Sequence, residues 1–532
     1  MRVLAFILIA FLLVSPLQAL AAGGEAIAVL EQKVLDAKRA LKDLDYETID
    51  RLLQDLKEGR GTEETTGLID DLLIESLAVE TRAIWLDSVH LNTLTSREKI
   101  AEAMDLLASI NVNVILVDIF GNGHSVFPSK VAEQRDAFRF LAEGDIVPIL
   151  IEEAHLRGIE FHALASLFGV DSYGIGPFMD DRLHWFDRTK DGGILTGIGD
   201  FEAFFSPVLP EVREFFLEVI KEILTYDIDG LHLDYIRFGR NVGYHPYTLQ
   251  LHKEAGGAPE NLDDPKEMER FTEFRSSFIS SFVDEVRILM QETKPGLLLS
   301  AAVGSNLTDA QREICQDWHD WAERRLLHLI FHMCYVETSA QYQVVIDNDP
   351  GAIKDLAISF PGIALYAVDG KELLHQLEVG QTNPVSGQAL FSTVHLKPEL
   401  VEVLGKVWRR PAMPTFRDPL LAAKSIIENL RDRFTGLGSQ IGIDSEVNQE
   451  IVLGLGSVAE AIASCNLRPW DSRDLQEGSL EELEQLEQVL SLIRPLKRLL
   501  SKLEPPTRER ALSDLQKAER LIQVLRHYAM PI

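Results

Sequence analysis

The chain has 532 residues, 46% of them apolar, which is enough for one large domain with an accessory module or for two to four domains. With 52 basic against 83 acidic side chains the formal charge is -31, a field that repels phosphate backbones and anionic lipid and argues against nucleic acid as a partner. Three cysteines, Cys315, Cys334 and Cys465, are too few and too unpatterned for a disulfide framework.

The chain opens with Met1-Arg2, an apolar run over residues 3–14, Ser15-Pro16 and the small-residue site Ala19-Leu20-Ala21. That is the pattern of a secretory signal over residues 1–21, cut after Ala21, and the apolar run is short for a membrane span. The expected location is therefore secreted or periplasmic in a bacterium, with no stable membrane span after cleavage. Over residues 24–80, Ile27, Leu30, Val34, Ala37 and Leu41, then Ile49, Leu52, Leu53 and Leu56, recur at three and four. Two or three amphipathic helices follow from this, with one stripe each to bury on one another, on the central domain or on the C-terminal helices.

From Thr81 the pattern changes to short apolar strands alternating with helical stretches. Strand cores fall at 83–86, 112–119, 159–163, 228–235, 297–303, 327–333, 356–358 with 363–365, and 388–392. Helices are predicted over 97–109, 147–157, 210–225, 266–292, 310–325 and 371–379. Eight such repeats within residues 81–410 predict an α/β fold, a (β/α)8 barrel flanked by N-terminal and C-terminal helical segments. A doubly wound sheet suits the pattern less well, because no Gly-rich phosphate loop follows the first strand. Residues 409–419 carry three prolines and read as a linker or a closure of the barrel. Residues 411–532 form a helical annex, with Leu483, Leu486, Leu490 and Ile493 at helical spacing before Pro505-Pro506 turns the chain into a last helix. The annex packs on the rest of the protein or, in the sharper reading, serves a protein partner or self-association.

Chemistry concentrates on Tyr226-Asp-Ile-Asp-Gly-Leu-His-Leu-Asp-Tyr-Ile-Arg-Phe238, where a buried-strand pattern meets charged groups. Alternation puts Gly230, His232, Asp234 and Ile236 on one face and Leu231, Leu233 and Tyr235 on the other. If the leucines pack on outer helices, Asp234 points inward near the C-terminal end of a barrel strand, where such folds keep their active sites. A buried Asp234–Arg237 ion pair is the plainer reading. Glycoside cleavage needs two carboxyl groups. Asp234 is the first candidate, and Glu337 is the second because it shares a face with Met333 and Tyr335. Asp118 competes with Glu337, unless it merely caps the turn at Gly121-Asn-Gly123. His232 and Arg237 are expected to hold Asp234 ionised. Tyr235, Tyr335, Asp87, His162 and Trp85 are the remaining candidates for binding substrate, with Tyr235 facing outward unless it leaves the strand early. Trp318 and Trp321, three apart on a helix, are read as packing. His232 with Asp234 is the one metal-pair candidate, and no cofactor motif is present.

These residues resemble the signature of the glycosyl-hydrolase-like family 10 proteins. The flanking matches follow in order: Pro210-Glu-Val-Arg213, Glu222, Arg275 beside Phe274, Ser300-Ala-Ala-Val303, Gln316-Asp-Trp318 with Trp321, Met333-x-Tyr335, and Gly387-Gln-Ala-Leu-Phe-Ser392. The resemblance implies an exported bacterial (β/α)8 glycoside hydrolase acting on a polysaccharide, with peptidoglycan glycan strands the substrate of some relatives. It departs at Asp118-Ile-Phe120 (often Gln-Val-Arg), at Leu164-Ala-Ser-Leu167 (usually Trp-Leu-Asn-Pro) and at His332 (usually Pro). A chitinase-type mechanism is excluded, since Ile236 stands where that class has its acid Glu. The α-amylase type keeps the nucleophile position at Asp234 but lacks its fifth-strand Glu in Ala301-Ala-Val-Gly-Ser-Asn306. A non-catalytic glycan-binding barrel and a metal-dependent hydrolase are the two other functions that the pattern admits.

Overall fold

A computed structural model describes residues 16–141, 144–170, 181–194, 203–348, 353, 355–467 and 480–530. Most of the expected secretory signal lies outside these residues. Three N-terminal helices, α1 (Pro16–Arg39), α2 (Tyr46–Lys57) and α3 (Glu63–Leu72), precede the barrel.

The barrel strands are β1 (Thr81–Leu86), β2 (Val114–Gly121), β3 (Glu160–Ser166), β4 (Gly230–Asp234), β5 (Leu298–Gly304), β6 (Leu329–Met333), β7 (Ile358–Ala364) and β8 (Gly387–Phe391). Each pairs in parallel with the next, and β1 pairs with both β2 and β8, so the sheet closes. All eight expected strands are present. The seventh, expected as two pieces, is one strand running through Pro361.

The helices after the strands are α4 (Arg97–Ser109), α5 (Val147–His155), α6 (Pro210–Ile223), α7 (Pro265–Thr293), α8 (Leu307–Ile314) with α9 (Trp318–Glu323), α10 (Ser339–Asn348), α11 (Gly370–Thr382) and α12 (Pro398–Val407). The single helix expected over 310–325 is two, because Cys315 takes a left-handed φ of 56° and Asp317 caps a new N-terminus. Outward residues such as Ile115, Val117, Leu231 and Leu233 pack with these helices, as alternation requires. Inward residues Ala83, Trp85, Leu116, Leu164, Leu298, Phe331 and Phe360 form a separate core.

That inner core does not stop at the barrel. It continues through Phe416, whose ring meets His162 at 5.8 Å and Phe360 at 6.1 Å, into α13 (Pro419–Leu437), α14 (Ser445–Ser464), α15 (Leu480–Leu500) and α16 (Thr507–Ala529). Contacts of this annex fall at the N-terminal ends of strands. Arg417 pairs with Glu160 at 2.7 Å, the Tyr528 hydroxyl donates to the Leu327 carbonyl, and the Arg325 guanidinium donates to the Met530 carbonyl. The annex therefore seals the base. The N-terminal helices join it there through buried Glu75, which Arg510 clamps with both terminal nitrogens, and through Arg433, which donates to the Leu41 carbonyl at 2.7 Å.

Candidate active site

With the base closed, the accessible end is the ring of strand C-termini. β4 enters it past Gly230, where a Cβ would lie 2.5 Å from the His162 ring, so only glycine leaves that ring its place. His232 follows, packed edge-on against Trp85 and Phe331, with Nδ1 2.8 Å from the Ser300 hydroxyl. Its burial holds it neutral. Asp234 is the last strand residue, facing inward as alternation demands. The chain then turns sharply, since Tyr235 adopts a left-handed φ of 49°. Tyr235 thus leaves the strand early instead of continuing outward.

Asp234 differs electrostatically from expectation. Burial is the largest influence and raises its pKa to about 6, with the neighbouring Asp118 carboxylate adding to the rise. The hydrogen bond from its own Tyr235 N–H, 2.7 Å, and the charge of Arg237 oppose this but do not win. His232, being neutral, supplies no cation. The expectation that His232 and Arg237 hold Asp234 ionised is therefore reversed, and no Asp234–Arg237 ion pair forms among the described residues. Asp118 sits inward on β2, two strands away, and receives a hydrogen bond of 2.9 Å from Arg135. Gly121 makes room for this pair, as a Cβ there would lie 3.1 Å from Arg135 and 3.2 Å from Asp118. Arg135 was not foreseen, because it reaches β2 from a loop seventeen residues downstream.

The opposite half of the ring is aromatic. Tyr335, past the end of β6, feels the charge of Asp234 and lies 5.3 Å from Phe391 and 6.4 Å from Tyr366 between ring centroids. Gly362 leaves space for its ring, which a Cβ would approach to 3.1 Å. Tyr366 is 53% exposed and also meets His395 at 5.5 Å. Phe391 was read only as part of the last strand and its motif, and Tyr366 and His395 escaped the sequence reading, since aromatic residues after a strand carry no periodic signal.

The other candidates separate from this centre. Glu337 is solvent-exposed beyond β6, and no ion pair or hydrogen bond ties it to Asp234. His162 lies at the barrel base beside Phe416 and 3.3 Å from Glu160, not at the mouth. Trp85 is buried beneath the mouth, edge-on to Phe391 at 5.9 Å. Asp87 caps the helix at Ser88–Leu91 and accepts the Val394 N–H at 3.2 Å, tying the loops after β1 and β8 together. Trp318 and Trp321 are buried packing residues, as expected. Among the described residues no three His, Cys, Asp or Glu side chains converge as a metal site. A groove of about 1260 Å³ lies on the barrel flank along α7 and is lined by Tyr244, Arg275 and Gln311, with neither Asp118 nor Asp234 in its wall.

Among known proteins, the chain is 22% identical over 360 residues to Glycosyl hydrolase YngK of Bacillus subtilis (strain 168), covering 59% of this chain and 68% of that protein. Among solved structures it resembles the PgaB (BpsB) glycoside hydrolase domain from Bordetella bronchiseptica, at 11% identity and TM-score 0.48 over 62% of this chain and 99% of that one. It also resembles α-L-fucosidase isoenzyme 2 from Paenibacillus thiaminolyticus, at 17% identity and TM-score 0.46 over 62% of this chain and 49% of that one. The chain thus spans about half the length of that fucosidase. The family profile described as Glycosyl hydrolase-like 10 matches residues 80–372, from β1 into α11. Since this match takes in more than half of the chain, the protein belongs to the glycosyl hydrolase-like 10 family.

Proposed function

We propose that this protein is an exported glycoside hydrolase acting on a bacterial polysaccharide, the glycan strands of peptidoglycan, with Asp234 and Asp118 as its carboxyl pair. The observation that carries the reading is the electrostatic link between two inward carboxyl groups at the strand ends, one half-buried with its pKa raised to about 6 and the other held beside a guanidinium. Two carboxyl groups with environments that push their protonation apart are what glycosidic cleavage uses. Asp234 gives its proton to the glycosidic oxygen as the C–O bond breaks. Asp118, charge-paired with Arg135, faces the positive charge that develops on the sugar ring. Water completes the anomeric carbon, and its proton returns a carboxyl group to the acid form. Export rests on the sequence of residues 1–21 and is checked by N-terminal sequencing of the mature protein.

The test is reducing-end release from purified glycan strands, with and without attached peptides. Asp234→Asn and Asp118→Asn should each lower the rate by roughly 10²–10⁴-fold, while Glu337→Gln stays within about twofold of the parent. Loss in Glu337→Gln with activity kept in Asp118→Asn would return the acid to Glu337. No release from any polysaccharide by the parent protein would leave a glycan-binding barrel, and loss of activity on adding a chelator would favour a metal-dependent hydrolase.

A further inference from the structure

Arg237 is the residue whose surroundings the cleavage chemistry leaves unused. Past Asp234 the chain alternates again: Ile236 and Phe238 are buried, while Tyr235 and Arg237 are half-buried on the other side. The guanidinium lies over the Tyr235 ring, 4.6 Å from its centroid. It makes no ion pair and donates no hydrogen bond among the described residues, in a protein with 83 acidic side chains. Other arginines of the barrel show the contrast, since Arg135, Arg157 and Arg213 each hold a carboxylate at 2.9 Å or less. Arg237 is near enough to Asp234 to act on its charge, so it belongs to the mouth.

Two features make this arrangement more than an idle surface arginine. The Tyr235 ring holds one side of the guanidinium, and its N–H groups have no hydrogen-bond partner among the described residues, so they are available to take a carboxylate through two parallel hydrogen bonds. The ring under the guanidinium belongs to a residue with a left-handed backbone, a conformation that costs a non-glycine residue energy and gathers at ligand sites. From these observations we propose that Arg237 is a specificity-determining residue that binds a carboxylate on the glycan, so that the substrate carries a free acid on its sugars, either a lactyl ether or a uronate. This rests on the glycan reading of the mouth but not on cleavage. A protein of charge -31 repels an anionic polymer at long range, and a cation at the mouth without an ion pair among the described residues admits it in a single register.

The experiment separates binding from cleavage by using full-length Asp234→Asn protein and measuring affinity by calorimetry. The probes are peptide-free peptidoglycan strands, a polyuronate oligomer, and each of these with its carboxyl groups reduced to alcohols. Reduction should weaken binding roughly tenfold or more for the glycan whose acid is recognised, the scale of a charge-assisted hydrogen bond. Adding Arg237→Gln should abolish that difference while leaving the reduced glycan bound as before, and Arg237→Lys should restore part of it. Which unreduced glycan shows the preference identifies the source of the acid. Equal binding of reduced and unreduced forms of both glycans overturns the inference, as does a loss in Arg237→Gln that is the same for both forms. If the parent cleaves glycans without regard to their carboxyl groups, hydrolysis stands and the inference falls. If it binds acidic glycans through Arg237 and cleaves none, the reverse holds.

Discussion

A carboxyl group drawn away from water favours its protonated form, and at half-buried Asp234 that preference outweighs the pull of a nearby guanidinium. Its folded pKa of about 6 stands above the ordinary value of 3.8. As the acid, Asp234 is active only while protonated, so kcat/KM should fall as pH rises through about 6, a limb that a pH–rate profile resolves. The same shift bears on stability with a definite sign. A carboxyl whose folded pKa is raised favours the fold below its unfolded pKa and costs stability once pH passes the folded value. Asp234→Asn should therefore raise the free energy of unfolding at pH 8 by about 3 kcal/mol, seen as a higher Tm, and leave it unchanged near pH 4. The inward direction of Asp234 was legible from alternation. Its proton was not, because the fold that takes it from water and sets the Asp118 carboxylate beside it brings together strands distant in sequence. Glu337 shows how alternation runs out: it shares a face with Tyr335 only if β6 continues, but the strand ends at Met333 and the Cys334 N–H turns back to the His332 carbonyl at 2.9 Å.

Elements were easier to read than their contacts. All eight strands announced themselves as apolar runs of β-branched and aliphatic residues between helical stretches, since a parallel strand is buried on both faces. What the pattern did not show was the traffic through residues 409–419. The Met413 N–H donates to the Ala78 carbonyl, the Thr415 N–H to the Thr81 hydroxyl, and Phe416 closes the floor. Phe416→Ala opens a cavity between barrel and annex and should cost about 3–5 kcal/mol in urea denaturation. It should also leave the strand-end chemistry, and hence KM, largely unaltered in whatever protein remains folded.

Taken whole, the molecule is a barrel whose flanks hold each other. The question that helical periodicity left open is answered in two parts: the apolar stripes of the N-terminal helices, Leu30, Val34, Ile49, Leu53 and Ile69, are buried on one another, and the cluster of Glu75, Arg510, Asp514 and Arg433, with Arg433–Asp514 at 2.7 Å and Arg510–Asp514 at 2.9 Å, ties that segment to the annex. Arg510 and its partners hold the Glu75 and Asp514 carboxyls below their ordinary range despite burial. A depressed carboxylate stabilises the fold above its unfolded pKa and stops doing so as pH falls below about 4. Acid should therefore loosen the flanks, seen as loss of near-ultraviolet dichroism below about pH 4. Arg510→Met, which strands the buried Glu75 carboxylate and takes one partner from Asp514, should cost about 3–5 kcal/mol at pH 7 and less in acid.

The sealed base also gives the molecule a front and a back. Arg39, at the end of α1, accepts a hydrogen bond from Thr507 at 2.6 Å, and Met530 is held by Arg325, so both flanking segments are moored on the side away from the strand ends. A bead or surface linked beyond Met530 would carry the protein by its closed side and present the opening outward, so immobilisation at that end should leave glycan access intact.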